Sequence, residues 1–385
     1  MKKIFLTTIT LLSIASASVF GMYGVDTDWI FFLTHGNQFR ARLDQLGFTL
    51  GNDTIKGTFG FDNNMNYGGA YGGLLVDNEP TGKHRSSWVP SISMGIGYTS
   101  SVIGIGVGYS VNIGDQIQKF NGKAESKTVN KSAHTPVLVL NAMDNAFRMA
   151  IPIQVYVNND KFEGGGYNNE MAVSVDSQFR YYTGLDALPQ VRLFLRYGLY
   201  QNESKADKDA KKEKQKYAES FGFDFRLYFG SMVEEVALQP LVKLAYNQAL
   251  GNYHQDTKVE AVKAMNSDYN SYQSGSYGGS VWDLQLMTGL GLTANSDIVS
   301  LYLEPQLGLA VTSRAPIVGT APGTPAPARV TTESYSLAYN VYAEIYITPL
   351  KNLEWYFEAQ LGSGANQNSL VFNGTTGITW YLPAL

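Results

Sequence analysis

The chain has 385 residues, a formal net charge of −4, 44% hydrophobic residues and no cysteine. The acidic balance excludes nucleic acid as a partner, because such binding needs clustered lysine and arginine to neutralise phosphates. The lack of cysteine excludes disulfides, thiolate metal sites and a lipid-bearing cysteine behind a signal sequence.

The first predicted element is a secretory signal peptide over residues 1–21. Two lysines precede an apolar run over residues 4–14, and small residues follow at 15–17. Cleavage fits after Ala17 or after Gly21. Removal of the segment leaves 27 basic residues against 33 acidic ones. The remaining sequence contains no run of about 18 apolar residues, so a membrane protein built from it would need a closed β-barrel.

The segment that follows, residues 22–53, has two interpretations. Over 34–47 the apolar residues fall at helical spacing, which predicts a periplasmic or plug-like helix. The same stretch also fits a strand, and together with residues 29–33 it would then supply the first strands of a sheet and raise the number of strands to sixteen.

Residues 91–113 show the sheet pattern most clearly. Apolar side chains alternate with Gly, Ser or Asn on both sides of a short break, which predicts a hairpin with one apolar face and one small or polar face. Each apolar run matches the roughly 9–11 residues that a tilted strand needs to cross a bilayer. Alternation alone does not tell which face meets lipid, since a soluble sandwich reverses the two.

The same pattern predicts fourteen strands along the chain. The predicted strands are 54–62, 88–98, 102–113, 134–142, 149–158, 171–181, 190–200, 219–229, 236–246, 281–292, 298–311, 335–347, 353–362 and 370–382. Short and long connections alternate between them, as in barrels with short periplasmic turns and long extracellular loops. We therefore predict an all-β, up-and-down antiparallel transmembrane barrel over 54–385, with about 14 strands and a range of 12–16.

The long connections are predicted as surface loops. The charged stretch 202–216 reads as a solvated loop, and the Pro-rich stretch 314–330 as an irregular one. The stretch 247–280 is rich in Tyr, Ser, Asn and Gly. It is expected to fold over the mouth of the barrel, with contact to a host surface as the alternative.

The last predicted strand carries a candidate insertion signal. Thr375, Gly377, Trp380 and Leu382 fit the polar-x-Gly-x-x-apolar-x-apolar pattern by which the barrel-assembly machinery recognises its clients. Leu385 stands where such signals usually end in phenylalanine.

Charged side chains fall on the faces opposite the apolar ones. If the apolar faces meet lipid, the basic residues face the lumen from middle strands and the acidic residues from later strands. The basic candidates are Arg180, Arg192, Arg196, Arg226 and Lys243, and the acidic candidates are Asp283, Glu304, Glu344, Glu354 and Glu358. Sectors of opposite charge would tune ion passage through a wet pore. Paired charges filling a plugged lumen explain the same pattern, and both interpretations stay open.

Enzyme signatures are missing from the sequence. The four histidines lie far apart, and none belongs to a His-Glu-x-x-His pair. The Gly-x-Gly runs lie inside predicted strands and open no helix, so they are not phosphate loops. We predict no enzymatic activity, no cofactor and no metal site.

Three segments near the N-terminus, Met22–Gly24, Phe32–Phe48 and Leu50–Phe61, resemble the start of the variable surface proteins of Brachyspira-type spirochaetes. The resemblance places the mature start at Met22 and so favours cleavage after Gly21. It implies a major surface antigen of the cell outer membrane, with host-facing loops, antigenic variation and a role in virulence. It supplies no ligand or catalytic residue.

The expected partners are outer-membrane lipid, the barrel-assembly machinery and a host surface or antibodies. Assembly of identical chains is left open. Two function classes follow, and the scattered histidines argue against a third, an outer-membrane hydrolase, which would need carboxylates or histidines clustered at one rim. One is a variable surface protein with porin-like passive diffusion of small solutes. The other is an adhesin or structural coat barrel with a closed lumen.

Overall fold

The structure is a computed structural model that describes residues 28–42, 45–63, 90–113, 131–162, 164–233, 236–266, 277–315, 332–363 and 370–383. Within these ranges, no helix is both long and apolar enough to cross a bilayer. The predicted signal peptide and both candidate cleavage positions lie outside the described residues, as does most of the Pro-rich stretch 314–330.

The described residues form one antiparallel sheet of seventeen strand segments. They are β1 Gln38–Arg42, β2 Gln45–Gly51, β3 Ile55–Asn63, β4 Pro90–Thr99, β5 Ile103–Ile113, β6 Lys131–Ala142, β7 Phe147–Lys161, β8 Tyr167–Tyr182, β9 Gln190–Lys205, β10 Glu213–Tyr228, β11 Ser231–Val233, β12 Val236–Ala249, β13 Trp282–Asn295, β14 Val299–Arg314, β15 Thr332–Leu350, β16 Leu353–Ser363 and β17 Leu370–Tyr381.

The sheet closes on itself, because β1 pairs with both β2 and β17. Segment β11 is a continuation of β10. Tyr228 pairs with Leu241 and Ser231 with Leu238, which is one unbroken register against β12. The described residues therefore form a closed barrel with sixteen strands in its wall.

The predicted all-β antiparallel barrel is confirmed, with sixteen wall strands in place of about fourteen. Each of the fourteen predicted segments is a wall strand. The two further strands, β1 and β2, lie in the stretch 34–47 and just beyond it, so the helix predicted there is wrong. Residue Phe39 pairs with Phe48 on one side and Trp380 on the other, so backbone hydrogen bonds to two neighbouring strands replace those of a helix.

The wall is apolar outside and polar inside. Ile96, Val107 and Leu307 are more than half exposed on the outer surface, whereas Ser110 and Gln178 are fully buried on the inner one. Both faces of the hairpin at 91–113 follow this rule, so its apolar side is the outer one. This arrangement suits lipid outside and a polar lumen inside.

Parts of two predicted long loops belong to the neighbouring strands. Strand β9 runs to Lys205 and β10 begins at Glu213, so the connection predicted over 201–218 shrinks to a few residues. The connection predicted over 159–170 shrinks in the same way between β7 and β8. These strand ends alternate charged and polar residues, so a search for apolar alternation missed them. With 15 or 16 residues each, these four strands extend beyond the roughly 9–11 residues needed in the bilayer.

Two segments enter the barrel. The 3-10 helix Asp28–Thr34, here called the plug, packs on β4–β7. Residues 250–266, here called the inner loop, contain the short helix Ala261–Asn266, which packs on β6–β9. Residues 29–33 are thus buried inside the barrel rather than forming a strand of it.

The plug fits against a wall surface made of glycine. The plug residues are Trp29, Phe32 and Leu33, and the glycines facing them are Gly95, Gly97, Gly104, Gly106 and Gly108. A Cβ atom on Gly108 would lie 2.4 Å from the ring of Trp29, and one on Gly97 would lie 2.2 Å from Leu33. The glycines on the inner side of this hairpin therefore make room for the plug.

Candidate functional site

The lumen contains a row of basic side chains on five neighbouring strands. In the register of the wall, Arg148 lies opposite Arg180, Arg180 opposite Arg192, Arg192 opposite Arg226, and Arg226 opposite Lys243. Since neighbouring strands lie about 4.8 Å apart, the row spans roughly 20 Å of the inner wall. Like charges directly opposite one another are destabilising, so the row needs negative charges or other favourable contacts that offset the repulsion.

One carboxylate compensates the β10–β12 end of this basic row. Asp224 accepts two hydrogen bonds of 2.8 Å from Arg226 and lies 3.7 Å from Lys243 Nζ. Its side chain is almost completely buried. A bidentate guanidinium–carboxylate pair of this kind is among the strongest polar contacts in proteins.

The β7–β9 end of the basic row is covered by aromatic rings. The guanidinium of Arg180 lies 4.3 Å from the ring centroid of Phe31 in the plug, and that of Arg148 lies 5.5 Å from it. Arg192 lies 4.5 Å from the ring centroid of Tyr228. Cation–π contacts thus stabilise this end of the row, and those to Phe31 join the plug to the wall.

An acidic sector lies farther round the wall, on β14–β16. Glu344 lies directly opposite Glu358, and the Tyr342 hydroxyl hydrogen bonds to both carboxylates. Tyr346 donates to Glu344 at 2.9 Å. Glu304 and Glu354 each accept a hydrogen bond from a further tyrosine, Tyr302 and Tyr381 respectively. The four glutamates are therefore held by phenol groups.

Two arginines on β1 approach this acidic sector. Arg42 Nη1 lies 3.7 Å from Glu358 Oε2, and both groups are nearly inaccessible to water. The guanidinium groups of Arg40 and Arg42 lie 5.7 Å and 4.8 Å from the ring centroid of Tyr356. Closure of the barrel by β1 thus brings positive charge to the acidic strands.

Two of the predicted charges serve the inner loop instead. Arg196 pairs with Asp176 at 3.0 Å, and Lys258 of the inner loop lies 3.8 Å from the same carboxylate. Asp283 pairs with Arg314 at 3.2 Å and accepts a hydrogen bond from Thr257 of the inner loop. Both pairs hold the loop against the wall.

Wall side chains also cap the short helix of the inner loop. The backbone N–H of Ala261 donates to Ser174 Oγ at 2.8 Å, and that of Val262 donates to Gln154 Oε1 at 3.3 Å. Just before the helix, the N–H of Val259 donates to Ser220 Oγ at 2.8 Å. These bonds satisfy amides that a helix N-terminus leaves without partners.

A buried histidine lies just after the plug, and another lies in the inner loop. Burial and the nearby Arg40, Lys56 and Arg148 lower the pKa of His35, just after the plug, to about 3. Burial lowers the pKa of His254, in the inner loop, to about 4. Both imidazoles are therefore neutral at pH 7.

All ten predicted lumen charges lie on the inner face of the wall. Arg180, Arg192, Arg226 and Lys243 share one row, and the four glutamates form the acidic sector. Arg196 and Asp283 contact the inner loop. Whether these residues line an open passage stays a prediction.

Sequence analysis missed several charges of the site. Arg148 precedes the predicted start of its strand at residue 149, so the sequence pattern leaves it in the connection between two predicted strands. Asp224 alternates with Arg226 in the same polar register, and this signal could have found it. Arg40 and Arg42 follow from the strand interpretation of residues 34–47.

The candidate insertion signal lies on the closing strand β17. Thr375 pairs with Glu358, and Gly377 pairs with Tyr356 on one side and Arg42 on the other. Trp380 is about half exposed on the outer surface. The backbone N–H of Leu382 donates to the carbonyl of Asn37 at 2.9 Å. Recognition by the assembly machinery stays a prediction.

A closed barrel with an apolar exterior and a charged interior defines the class of the molecule as a transmembrane β-barrel of the outer-membrane type. Residues 2–381 match the model of the Serpulina hyodysenteriae variable surface protein family. The chain therefore belongs to this family, as its N-terminal segments indicated.

Three solved structures show remote similarity to the chain. The translocator domain of autotransporter NalP from Neisseria meningitidis has 13% identity over 74% of this chain and 90% of that chain, with a TM-score of 0.33. The FrpB iron transporter from Neisseria meningitidis (F5-1 variant, apoprotein form) has 10% identity over 90% and 61%, with a TM-score of 0.42. The transport unit of autotransporter AIDA-I from Escherichia coli has 12% identity over 97% of each chain, with a TM-score of 0.29. No curated protein matches the chain.

Proposed function

We propose that this protein is a surface-displayed outer-membrane protein whose lumen lets small hydrophilic solutes diffuse across the membrane. The observation that supports solute diffusion is the basic row. It has five cations on adjacent strands and one carboxylate bound between two of them. Charges in a dry interior cost several kcal/mol each. Water and mobile ions in the lumen lower that cost.

The width of the barrel supports the same proposal. Barrels of 16–18 strands are wide enough to enclose an aqueous channel. The plug packs on β4–β7 and the short helix of the inner loop on β6–β9. A solute path would then run beside the acidic sector on β14–β16.

Planar-bilayer recording from the purified, folded protein tests passage. We expect stepwise conductance in KCl. Under a KCl gradient, Glu304→Gln combined with Glu358→Gln should shift the reversal potential towards anion preference, because both buried carboxylates belong to the acidic sector beside the expected path and their charge acts on ions there through its field. Glu213→Gln, on the exposed hairpin of β9 and β10, serves as the control and should leave the reversal potential unchanged. An inserted protein without conductance steps would contradict the proposal.

A closed coat barrel is the second candidate, and the plug favours it. The plug side chains Trp29, Ile30 and Phe32 are at most 1% exposed, so this part of the lumen is sealed. In the same recordings, a closed barrel predicts a silent wild-type protein.

Surface display is tested on intact cells with a membrane-impermeant amine reagent. Lys212 and Lys214 are exposed on the hairpin of β9 and β10, at the end of the barrel that carries the long connections. Lys351 is exposed in a short turn at the opposite end. We expect the reagent to modify the first two lysines and spare Lys351 until the cells are broken. The reverse pattern would contradict display of the long-loop end.

A further inference from the structure

The β7–β9 end of the basic row has an unusual charge environment. The nearest carboxylate along the row, Asp224, is taken by Arg226 and Lys243. Among the described residues, neither Arg148 nor Arg192 lies within 4.0 Å of a carboxylate oxygen. Both side chains are more than nine-tenths buried.

Unused hydrogen-bond donors surround this end of the row. They are Nδ2 of Asn141, Nη1 of Arg148, Nε2 of Gln178 and Nε of Arg192, all buried and without an acceptor in the described protein. Asn141 lies opposite Arg148, and Gln178 precedes Arg180 by two positions on the same face of β8. Each unmade bond of this kind costs about 1–3 kcal/mol. An acceptor between them would remove that cost.

The aromatic rings leave the donors available. The guanidinium carbons of Arg180 and Arg192 lie over the rings of Phe31 and Tyr228, respectively. A ring attracts the positive charge without offering an oxygen acceptor, so the planar N–H groups of a guanidinium can still bind oxygen pairs. The donors come from four strands, β6 to β9, so they approach a bound group from several directions, whereas the acceptor sites of a carboxylate lie in one plane. A tetrahedral oxyanion presents its oxygens in different directions and fits such a set of donors better.

We propose that this end of the basic row binds a tetrahedral oxyanion of the phosphate or sulfate class, in the lumen beside the plug. The anion accepts from Arg148 and Arg192 and from the amides of Asn141 and Gln178. The inference requires that water reaches the lumen but not that solutes pass through it. It adds a defined ligand to the proposed function.

Calorimetric titration of the folded, full-length protein with inorganic phosphate tests the proposal, with chloride holding the ionic strength constant. We expect saturable binding of one phosphate. Arg148→Gln combined with Arg192→Gln should weaken it at least tenfold. Arg314→Gln removes an arginine paired with Asp283 away from the row, and should bind as the wild type does. Heat-modifiable electrophoretic mobility checks that each variant is folded.

Two further titrations distinguish a specific binding site from nonspecific attraction of anions by positive charge. Arg192→Lys keeps the charge but loses the planar donor pair, so phosphate binding should weaken several-fold. Sulfate should compete with phosphate, and acetate should bind at least tenfold more weakly.

Absence of phosphate binding to the wild type would overturn the proposal, as would equal effects of the row and control variants. Acetate binding as tight as phosphate binding would overturn it too. Titration does not depend on conductance, so failure of the anion site and failure of solute passage are observed separately.

Discussion

Gly108 on β5 shows how one missing side chain positions a whole segment. Its replacement by Val would place Cβ 2.4 Å from the Trp29 ring, so the plug would have to shift. Overpacking of this kind costs about 1–3 kcal/mol. We expect faster hydrogen exchange of the amides of residues 28–35, measured by mass spectrometry. Gly57→Val is the matched control, since a Cβ there meets nothing closer than 3.9 Å. Equal exchange in the two variants would contradict the packing described for the plug.

His254 predicts a pH response of the inner loop. Its Nδ1 accepts from the N–H of Asp256 at 3.1 Å, and its Nε2 lies 2.7 Å from the backbone N and 2.9 Å from the carbonyl O of Glu219, so both ring nitrogens contact backbone groups. Burial lowers its pKa from 6.5 to about 4. Opening the loop restores the ordinary value, so protonation favours the open form as pH falls from about 6.5 to about 4, by up to about 3 kcal/mol. Below about pH 4 the effect is complete.

Proteolysis of the inner loop at pH 7 and pH 5 measures this response. We expect cleavage within residues 250–266 to increase at pH 5 in the wild type. His254→Gln should lose most of the difference, whereas His134→Gln, in the wall strand β6, should keep it. A pH response that survives in His254→Gln would assign the effect to another group.

Which charges face inward could be predicted from the sequence, but their partners could not. Alternation in β8, β9 and β10 predicts the faces of Arg180, Arg192 and Arg226 directly. That these three share one row depends on strand register, which turns and closure fix in three dimensions. The cation–π contact of Arg180 with Phe31 depends in addition on the path of the plug.

At the level of elements, the inner loop is held by the side chains that cap its short helix. Removing both anchors with Ser174→Ala and Gln154→Ala leaves two helix amides without acceptors, at about 1 kcal/mol for each lost bond. We expect faster tryptic cleavage at Lys258 and Lys263. Ser110→Ala removes an equally buried serine from β5, which bonds to Ser91 rather than to the loop. Equal cleavage rates in these two variants would contradict the anchoring role.

The elements that sequence analysis missed share a physical reason. Strands β1 and β2 have five and seven residues, too few to show a clear alternation, and their apolar residues also fit a helix. The ends of β9 and β10 pair through residues such as Lys214 and Glu203, which lie outside the apolar belt. Strands inside the belt were predicted because lipid imposes an apolar side chain at every second position.

At the scale of the whole molecule, closure explains both the sixteen strands and the charge pattern. An open sheet edge in lipid would leave backbone groups without partners, so β1 and β17 must meet. Their pairing brings Arg40 and Arg42 beside the acidic sector of β16. The basic row lies on the middle strands, and the plug and inner loop fold against that part of the wall.

The central claim is that this wall reverses the pattern of a soluble protein. Its apolar residues contact lipid, and its charged residues face a water-filled lumen. Because the chain has no cysteine, single cysteines can be introduced along β14 and spin-labelled in a reconstituted bilayer. We predict that labels at Leu307 and Leu309 are accessible to oxygen, and that labels at Gln306 and Ala310 are accessible to a water-soluble nickel complex. Accessibility that does not alternate along the strand, or that alternates in the opposite sense, would contradict the account.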